Sequence, residues 1–501
     1  MKKSAVTHLA LVLTLAFGTL GLAADEGNKQ TPPTKPVVKE TVLSGAFNGK
    51  KITYRAVAGE TRLKDKNGTV NGTIFSTSYI REGVKDKTKR PVFFVYNGGP
   101  GSASVWLHMG VFGPKRINIP SDARDDGAGP YELTDNAASI LDVTDLVFID
   151  PVGTGFSRTE GDGKTKDFWG VGEDAKSVAQ FIRVWLRTHG RWNSPKYIGG
   201  ESYGTTRSAA VVRELEGRFD DVAVNGIILI STILDFTIDS YDPGNELVHV
   251  MYLPTMASTA QYHGKAGTGK SVADFAEEAR TWAIGEYGPA LLLGADLTGE
   301  RRAAIRARLA YFTGLSETYL EEANLRVHYQ RFNKELLRAD GLSIGRLDSR
   351  YTGKDFDRAG ERPDTDPSFY GIDGAYTAAI NSWLREGLNF NPDREYTIIG
   401  GVNNWNWELP TNHWAQSYLN VAPYIGTAMR GNSDLRVFNA AGYYDFATPY
   451  FGAEYSLNRN GIDPTRVTYK YYEAGHMMYI HHPSLKALLI DVRAFIKAGA
   501  K

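Results

Sequence analysis

The apolar positions of this 501-residue chain fall into three textures. Between Thr41 and Ile80, short runs such as Lys51-Ile52-Thr53-Tyr54-Arg55 and Thr73-Ile74-Phe75-Ser76-Thr77-Ser78-Tyr79 are separated by Asn48-Gly49 and Asn67-Gly68. β-type runs broken by Asn-Gly predict an antiparallel meander joined by tight turns. From Val92 onward the runs become compact and nearly continuous: Val92-Phe93-Phe94-Val95-Tyr96, Leu146-Val147-Phe148-Ile149, Tyr197-Ile198 and Ile227-Ile228-Leu229-Ile230. Strands covered on both faces read this way. Two further runs, Leu435-Arg436-Val437-Phe438 and Val467-Thr468-Tyr469-Lys470-Tyr471, lie near the end. Between strands, Ala175, Val178, Phe181, Ile182 and Trp185 recur at helical spacing. Strands alternating with helices predict an α/β class protein with a mostly parallel central sheet flanked by helices.

The third texture runs from about Asp235 to Gly400, where strand signals fade and helices are predicted over Val272–Ile284, Gly299–Phe312 and Ser316–Leu337, the last opening on a Ser N-cap. Strand texture resumes beyond it, so this stretch is expected to be a helical cap inserted into the core. At the other end, Met1-Lys2-Lys3 precedes an apolar run from Leu9 to Phe17 and small residues through Ala24, the order of a signal peptide. Pro, Thr, Lys and Gln then dominate, as in a disordered tether. The expected division is a signal peptide at 1–24, a tether at 25–40, core at 41–234, cap at 235–400 and core again at 401–501. No other stretch approaches spanning length, so the mature chain is expected to be exported, periplasmic or secreted, with no integral membrane segment.

Charge and cysteine content narrow the chemistry. Lys and Arg number 57, as do Asp and Glu, with no dense basic stripe, which argues against nucleic acid as a partner. There is no cysteine, hence no disulfide, no thiolate nucleophile and no Cys-held metal. The adjacent His481 and His482 before Pro483 read as solvent-facing loop residues rather than metal ligands. No metal or organic cofactor is expected.

One short stretch then stands out: Gly200-Glu201-Ser202-Tyr203-Gly204, between strand-like Lys196-Tyr197-Ile198-Gly199 and helix-like Thr205–Val212. A serine fenced by glycines at a strand-to-helix turn is where a nucleophile is presented. It needs a histidine base, itself oriented by a carboxylate, and on such a turn the chain order is Ser, Asp or Glu, then His. Asp445, after the strand at Val437-Phe438, and His476, after the strand ending near Tyr472, meet that requirement. Asp434 lies at the other end of its strand. For the oxyanion the expected backbone donors are Tyr203, next to the nucleophile, and Gly99, in the loop Asn97-Gly98-Gly99-Pro100-Gly101-Ser102 after an early strand.

These stretches, with Pro151-Val152-Gly153-Thr154-Gly155-Phe156-Ser157, Gly442-Tyr443-Tyr444-Asp445-Phe446 and Ala474-Gly475-His476-Met477, resemble the serine carboxypeptidases in residues and in order, as a bacterial-type member. The resemblance implies an α/β-hydrolase fold and release of C-terminal residues from peptides through an acyl-enzyme, with Ser202 attacking, His476 shuttling the proton and Asp445 holding the imidazole. It also implies that Asn97, Gly98 and Glu201 bind the free C-terminal carboxylate of a peptide substrate. Glu201 beside that carboxylate would share a proton with it, so activity is expected to favour acidic pH. The chain departs from the family where a second glutamate precedes a Gly-Pro; here Val111 and Phe112 precede Gly113-Pro114. That leaves open an esterase or amidase with the same triad, and a non-catalytic binding or protective protein. Asn403-Asn404-Trp405-Asn406-Trp407 is expected to pack at the junction with the cap rather than to line a cleft.

Overall fold

The structure is a computed structural model that describes residues 36–217, 220–370, 372–409 and 418–500. The predicted signal peptide and all but the end of the tether lie outside the described residues. The meander is present: β1 (Val38–Phe47), β2 (Lys50–Lys64) and β3 (Val70–Arg81) pair antiparallel in sequence. β1 begins inside the stretch read as tether, because Val38 to Glu40 pair with Gly59 to Val57. Asn48 and Gly49 both take positive φ, 49° and 75°, as the β1–β2 turn requires.

The compact runs form β4 (Val92–Tyr96), β5 (Asp145–Asp150), β6 (Lys196–Ser202), β7 (Gly226–Thr232), β8 (Arg436–Gly442) and β9 (Val467–Tyr472). The sheet order is β1-β2-β3-β5-β4-β6-β7-β8-β9, antiparallel as far as β5 and parallel from there on, with the two-residue strand Arg158–Thr159 also on β3. The near-continuous apolar runs have their reason here. In β4, Phe93 and Val95 join the core on one face while Val92, Phe94 and Tyr96 join the core on the other. Helices α1 (Val171–His189) and α2 (Tyr203–Leu215) cover the second face.

The region from Asp235 onward builds a third hydrophobic cluster of its own, continuous with Ala441, Phe446, Tyr450 and Phe451 of the core. Its first helix, α3 (Leu247–Tyr262), carries no helical signal because it is buried all round, Val250 to Ala260 without a break, so no polar face marks a period. Helices α4 (Val272–Trp282) and α5 (Gly299–Thr313) stand where predicted. The single helix expected over Ser316–Leu337 is two: α6 (Glu317–Glu322), capped by Ser316, and α7 (Tyr329–Glu335). Asn324 and Leu325 both take positive φ, 50° and 61°, which no helix can pass, and the buried Leu325 accepts a hydrogen bond at its carbonyl from Tyr287. The last part of the insertion belongs elsewhere: Ile372 to Tyr396, with α8 (Asp373–Ser382), packs into the first core cluster beside Val105–Phe112. The chain closes with α9 (His482–Gly499), whose Leu488, Leu489, Val492 and Ile496 cover the same face.

Candidate active site

Ser202 ends β6 and caps α2 with φ 60° and ψ −129°, a conformation unfavourable for a residue with a side chain. The flanking glycines make it reachable. A Cβ at Gly200 would lie 2.5 Å from the carbonyl oxygen of Gly204, and one at Gly204 would lie 2.9 Å from that of Asn97. Behind the turn, Arg207 is fully buried, bonds Asp174 of α1 at 2.6 Å and donates to the Asn97 carbonyl at 2.5 Å, between the rings of Tyr96 and Tyr203. Removing one partner of such a buried pair costs about 3–5 kcal/mol, so this bolt fixes the turn to the loop opposite.

Asp445 and His476 meet as the sequence predicts: Nδ1 of His476 lies 2.8 Å from Oδ2 of Asp445. Asp445 is completely buried, and its other bonds come from Ala447 N at 2.8 Å, Thr448 N at 3.0 Å and Thr448 Oγ1 at 2.7 Å. Burial works to lower the basicity of His476, but the Asp445 charge and hydrogen bond outweigh it, and the imidazole is raised above its ordinary 6.5. The His476 loop is held from both sides: its N–H donates to Leu347 of the insertion at 2.6 Å, and its carbonyl accepts from Ser231 Oγ at 2.6 Å. Ser202 and His476 line one cleft of about 340 Å³. Among the described residues no hydrogen bond joins the two.

The loop after β4 closes the other wall. Gly99 and Gly101 have φ 100° and 96°, and Gly98 runs so close to the nucleophile that a Cβ there would lie 2.7 Å from Tyr203 N. Tyr203, first residue of α2, has an N–H without a partner inside its helix, and Gly99 lines the cleft, so both predicted donors flank Ser202. The loop is pinned by a segment that sequence reasoning missed: Ala103 N donates to Ile398 O at 2.9 Å and Gly400 N to Gly101 O at 2.7 Å. Asp150, the last residue of β5 just before the Pro151–Ser157 stretch, supports the same loop, accepting from Ser104 N and Oγ at 2.8 and 2.7 Å.

Glu201 is buried beside the nucleophile. Asn97 Nδ2 donates to its Oε2 at 2.5 Å, and the hydroxyl of Tyr479 donates to both oxygens, at 3.1 and 2.8 Å. Burial pushes the carboxyl up to about 7, with Asp445 adding to the rise while His476 and the two donors oppose it. Asn97 is itself oriented, its Oδ1 accepting from Leu107 N at 3.0 Å. Asn97, Gly98 and Glu201 thus converge on the cleft, and Val111, fully buried, faces the apolar core. Tyr479 lies within an apolar run and carries no signal of its role in the sequence.

The remaining candidates resolve simply. His481 Nδ1 is bonded to Ser484 Oγ at 2.8 Å, and among the described residues no cluster of His, Cys, Asp or Glu is placed to hold a metal. Trp405 and Trp407 both stand edge-on to Tyr203; Trp405 packs on the second core cluster, whereas Trp407 stays 43% exposed. Gly264–Ser271, which sequence reasoning did not single out, has the spacing of a glycine-rich phosphate loop but links two helices rather than a strand and a helix, with Lys270 paired to Glu278 and Ser271 capping α4. Among the described residues no helix is long and apolar enough to cross a membrane.

Comparison with known proteins bears on this geometry. Residues 78–266 match the serine carboxypeptidase family. That stretch carries the Asn97–Ser102 loop, the Ser202 turn and α3. Over 161 residues the chain is 29% identical to serine carboxypeptidase-like 13 of Arabidopsis thaliana, covering 31% of this chain and 36% of that one. Over 127 residues it is 31% identical to serine carboxypeptidase-like 20 of the same plant, covering 25% and 24%. The chain thus spans little more than a third of the length of the first of these relatives, 36%. A crystal structure of Kex1, a prohormone-processing carboxypeptidase from Saccharomyces cerevisiae, superposes with a TM-score of 0.52 at 14% identity, covering 88% of this chain and 91% of that one. The fold is that of the α/β-hydrolases, with the sheet, nucleophile turn and late-strand Asp and His in the expected order.

Proposed function

We propose that this chain is a serine-type carboxypeptidase. Ser202 Oγ attacks the carbonyl of the C-terminal peptide bond as His476 Nε2 takes its proton, and Gly99 and Tyr203 N–H receive the oxyanion. His476 then gives the proton to the leaving amine; water repeats the sequence on the acyl-enzyme and regenerates Ser202. Asp445, bonded to Nδ1, keeps the imidazole in the tautomer that presents Nε2. The observation that carries the reading is Glu201, a buried carboxyl held by Asn97 and Tyr479 one residue from the nucleophile. Raised to about 7, it keeps its proton below neutrality and can share it with the terminal carboxylate of a peptide. In this reading the protein is a bacterial-type member of the family, exported to the periplasm or beyond through the predicted signal peptide.

A second reading, an esterase or amidase with the same triad, is favoured by Val111, which leaves Glu201 without a partner glutamate. The test is kcat/KM from about pH 4 to 8 on an N-blocked dipeptide acid, its amide and its ester, with Ser202→Ala as control. Preference for the acid at the low end supports the carboxypeptidase; equal or better cleavage of amide or ester, lost in Ser202→Ala, supports the second reading. Failure of an active-site phosphonate to label Ser202 would turn the case toward a non-catalytic protein.

A further inference from the structure

Besides His476, the cleft is lined by three charged side chains, and two of them are already engaged. Glu201 is bonded to Asn97 and Tyr479. Asp366 is saturated by its own loop: it accepts from Arg346 N at 3.0 Å, Ser368 N at 3.0 Å, Ser368 Oγ at 2.5 Å and Leu347 N at 3.4 Å. The third, Arg346, is the permanent cation of the cleft; it hydrogen-bonds the Tyr329 hydroxyl and forms no ion pair with any described residue. The groups around its guanidinium are the hydroxyls of Tyr329 and Tyr252, the carboxyl of Asp239 and, across the cleft, the His476–Asp445 pair. Asp239 already takes the Tyr252 hydroxyl, and although its charge is felt at Arg346 the two form no ion pair. Apart from these groups the lining is largely apolar, with Trp106, Leu347, Phe369, Ile399 and Met477, so an anion reaching Arg346 would meet it with little water to screen the pair.

We propose that Arg346 is a specificity-determining residue that binds the side-chain carboxylate of an Asp or Glu flanking the scissile bond. The inference rests on reading the cleft as a peptidase site. The terminal carboxylate has its own place at Asn97 and Glu201, so the anion left for Arg346 is a side chain. The position explains the placement of the residue: the insertion delivers Arg346 and Leu347 as neighbours, and Leu347 holds the His476 loop, so the charge is fixed relative to the reacting bond.

The experiment measures kcat/KM on N-blocked dipeptide acids carrying Glu, Gln or Lys on either side of the bond, for the wild type, Arg346→Gln and Arg346→Lys. The wild type is expected to favour Glu over Gln by about tenfold or more at one of the two positions, with Lys poorest. Arg346→Gln should bring the Glu to Gln ratio near one while keeping the Gln substrate, and phosphonate labelling of Ser202 confirms that the variant is folded; Arg346→Lys should keep part of the preference. A wild-type ratio near one, or a ratio undiminished in Arg346→Gln, overturns the proposal. If Arg346→Gln instead loses the distinction between peptide acid and amide bearing neutral side chains, Arg346 holds the terminal carboxylate and the side-chain assignment is overturned. If no peptide is cleaved but the matching esters are, the peptidase reading fails, and the same series on esters still decides the role of Arg346.

Discussion

Replacing Glu201 by Gln and following hydrolysis against pH separates the work of this carboxyl from that of the triad. Its native pKa stands at about 7 against an ordinary 4.5, with burial the chief cause. Below about 7 the carboxyl is protonated and can share its proton with a substrate carboxylate; above it two negative charges would face each other in a dry pocket. Each further pH unit then removes about tenfold, so kcat/KM on a peptide acid should fall about a hundredfold between pH 7 and 9, about 3 kcal/mol. A peptide amide brings no charge and should lack this limb, and Glu201→Gln, which cannot titrate, should lose it for the acid too. On the acid side both substrates share a decline as His476, raised above 6.5, takes up a proton. The same shift acts on stability. Native Glu201 keeps a proton that the unfolded chain releases above its ordinary pKa, so stability falls as pH rises from 4.5 to about 7, by roughly 3 kcal/mol. Glu201→Gln should therefore melt above the wild type at pH 8. An alkaline limb shared by acid and amide, a plateau for the acid above pH 7, or a limb that survives in Glu201→Gln would refute the reasoning.

Three other perturbations follow from the same contacts. Tyr479→Phe removes a donor that holds the Glu201 carboxyl down, so the alkaline limb should move to higher pH, and KM for the peptide acid should rise with kcat little changed. A pH profile that stays put would detach Tyr479 from Glu201. Gly98→Ala puts a Cβ 2.6 Å from Glu201 O and 2.7 Å from Tyr203 N, both backbone, which must push the oxyanion loop off the nucleophile turn; kcat should fall by about a hundredfold or more, and near-normal turnover would show that the loop does not position the donors. His108 is fully buried against Phe148 and bonded to Tyr79, and burial holds its pKa near 3. The unfolded chain takes up that proton below about 6.5 while the native one refuses it, so stability should drop by roughly 3 kcal/mol from pH 6.5 to 4.5. Denaturation at pH 7 and 4.5 should show a shallower decline for His108→Gln, and an equal decline would place the acid sensitivity elsewhere.

What the sequence made legible is what backbone sterics impose. β4 and β5 must bury both faces, so no polar residue interrupts Val92-Phe93-Phe94-Val95-Tyr96 or Leu146-Val147-Phe148-Ile149, and both strands read directly. Gly98, Gly200 and Gly204 are where backbone meets backbone, so they mark the oxyanion loop and nucleophile turn without any knowledge of the partner. Asp445 and His476 followed from strand order, because a parallel sheet delivers the ends of β8 and β9 to the edge where β6 ends. Side chains whose role depends on a distant partner leave no such mark. Arg207 reads as an ordinary helical arginine until Asp174 and the Asn97 carbonyl are beside it. Tyr479 reads as one more apolar residue after His476, and α3 gave no period because it has no polar face.

The insertion was the least legible part, and the geometry gives a reason. Its contribution to the cleft comes through short stretches, Arg346–Leu347 just past the two-residue strand Ser343–Ile344 and Asp366–Phe369 at the start of the one-turn helix Pro367–Tyr370, held together as Asp366 accepts from backbone N–H groups; elements this short show no readable period. The catalytic loop depends on this stretch as well: His476 N bonds Leu347 O, Gly475 N bonds Asp348 Oδ2 at 3.1 Å, and a Cβ at Gly475 would lie 2.4 Å from Leu347 O. The contact that seats the imidazole and the cation proposed to read the substrate are therefore neighbours in sequence. A change in this loop that alters specificity through Arg346 will disturb the base as well unless it leaves the backbone of Leu347 in place. Charge-removing substitutions at Arg346, which keep that backbone, are the changes able to move specificity alone.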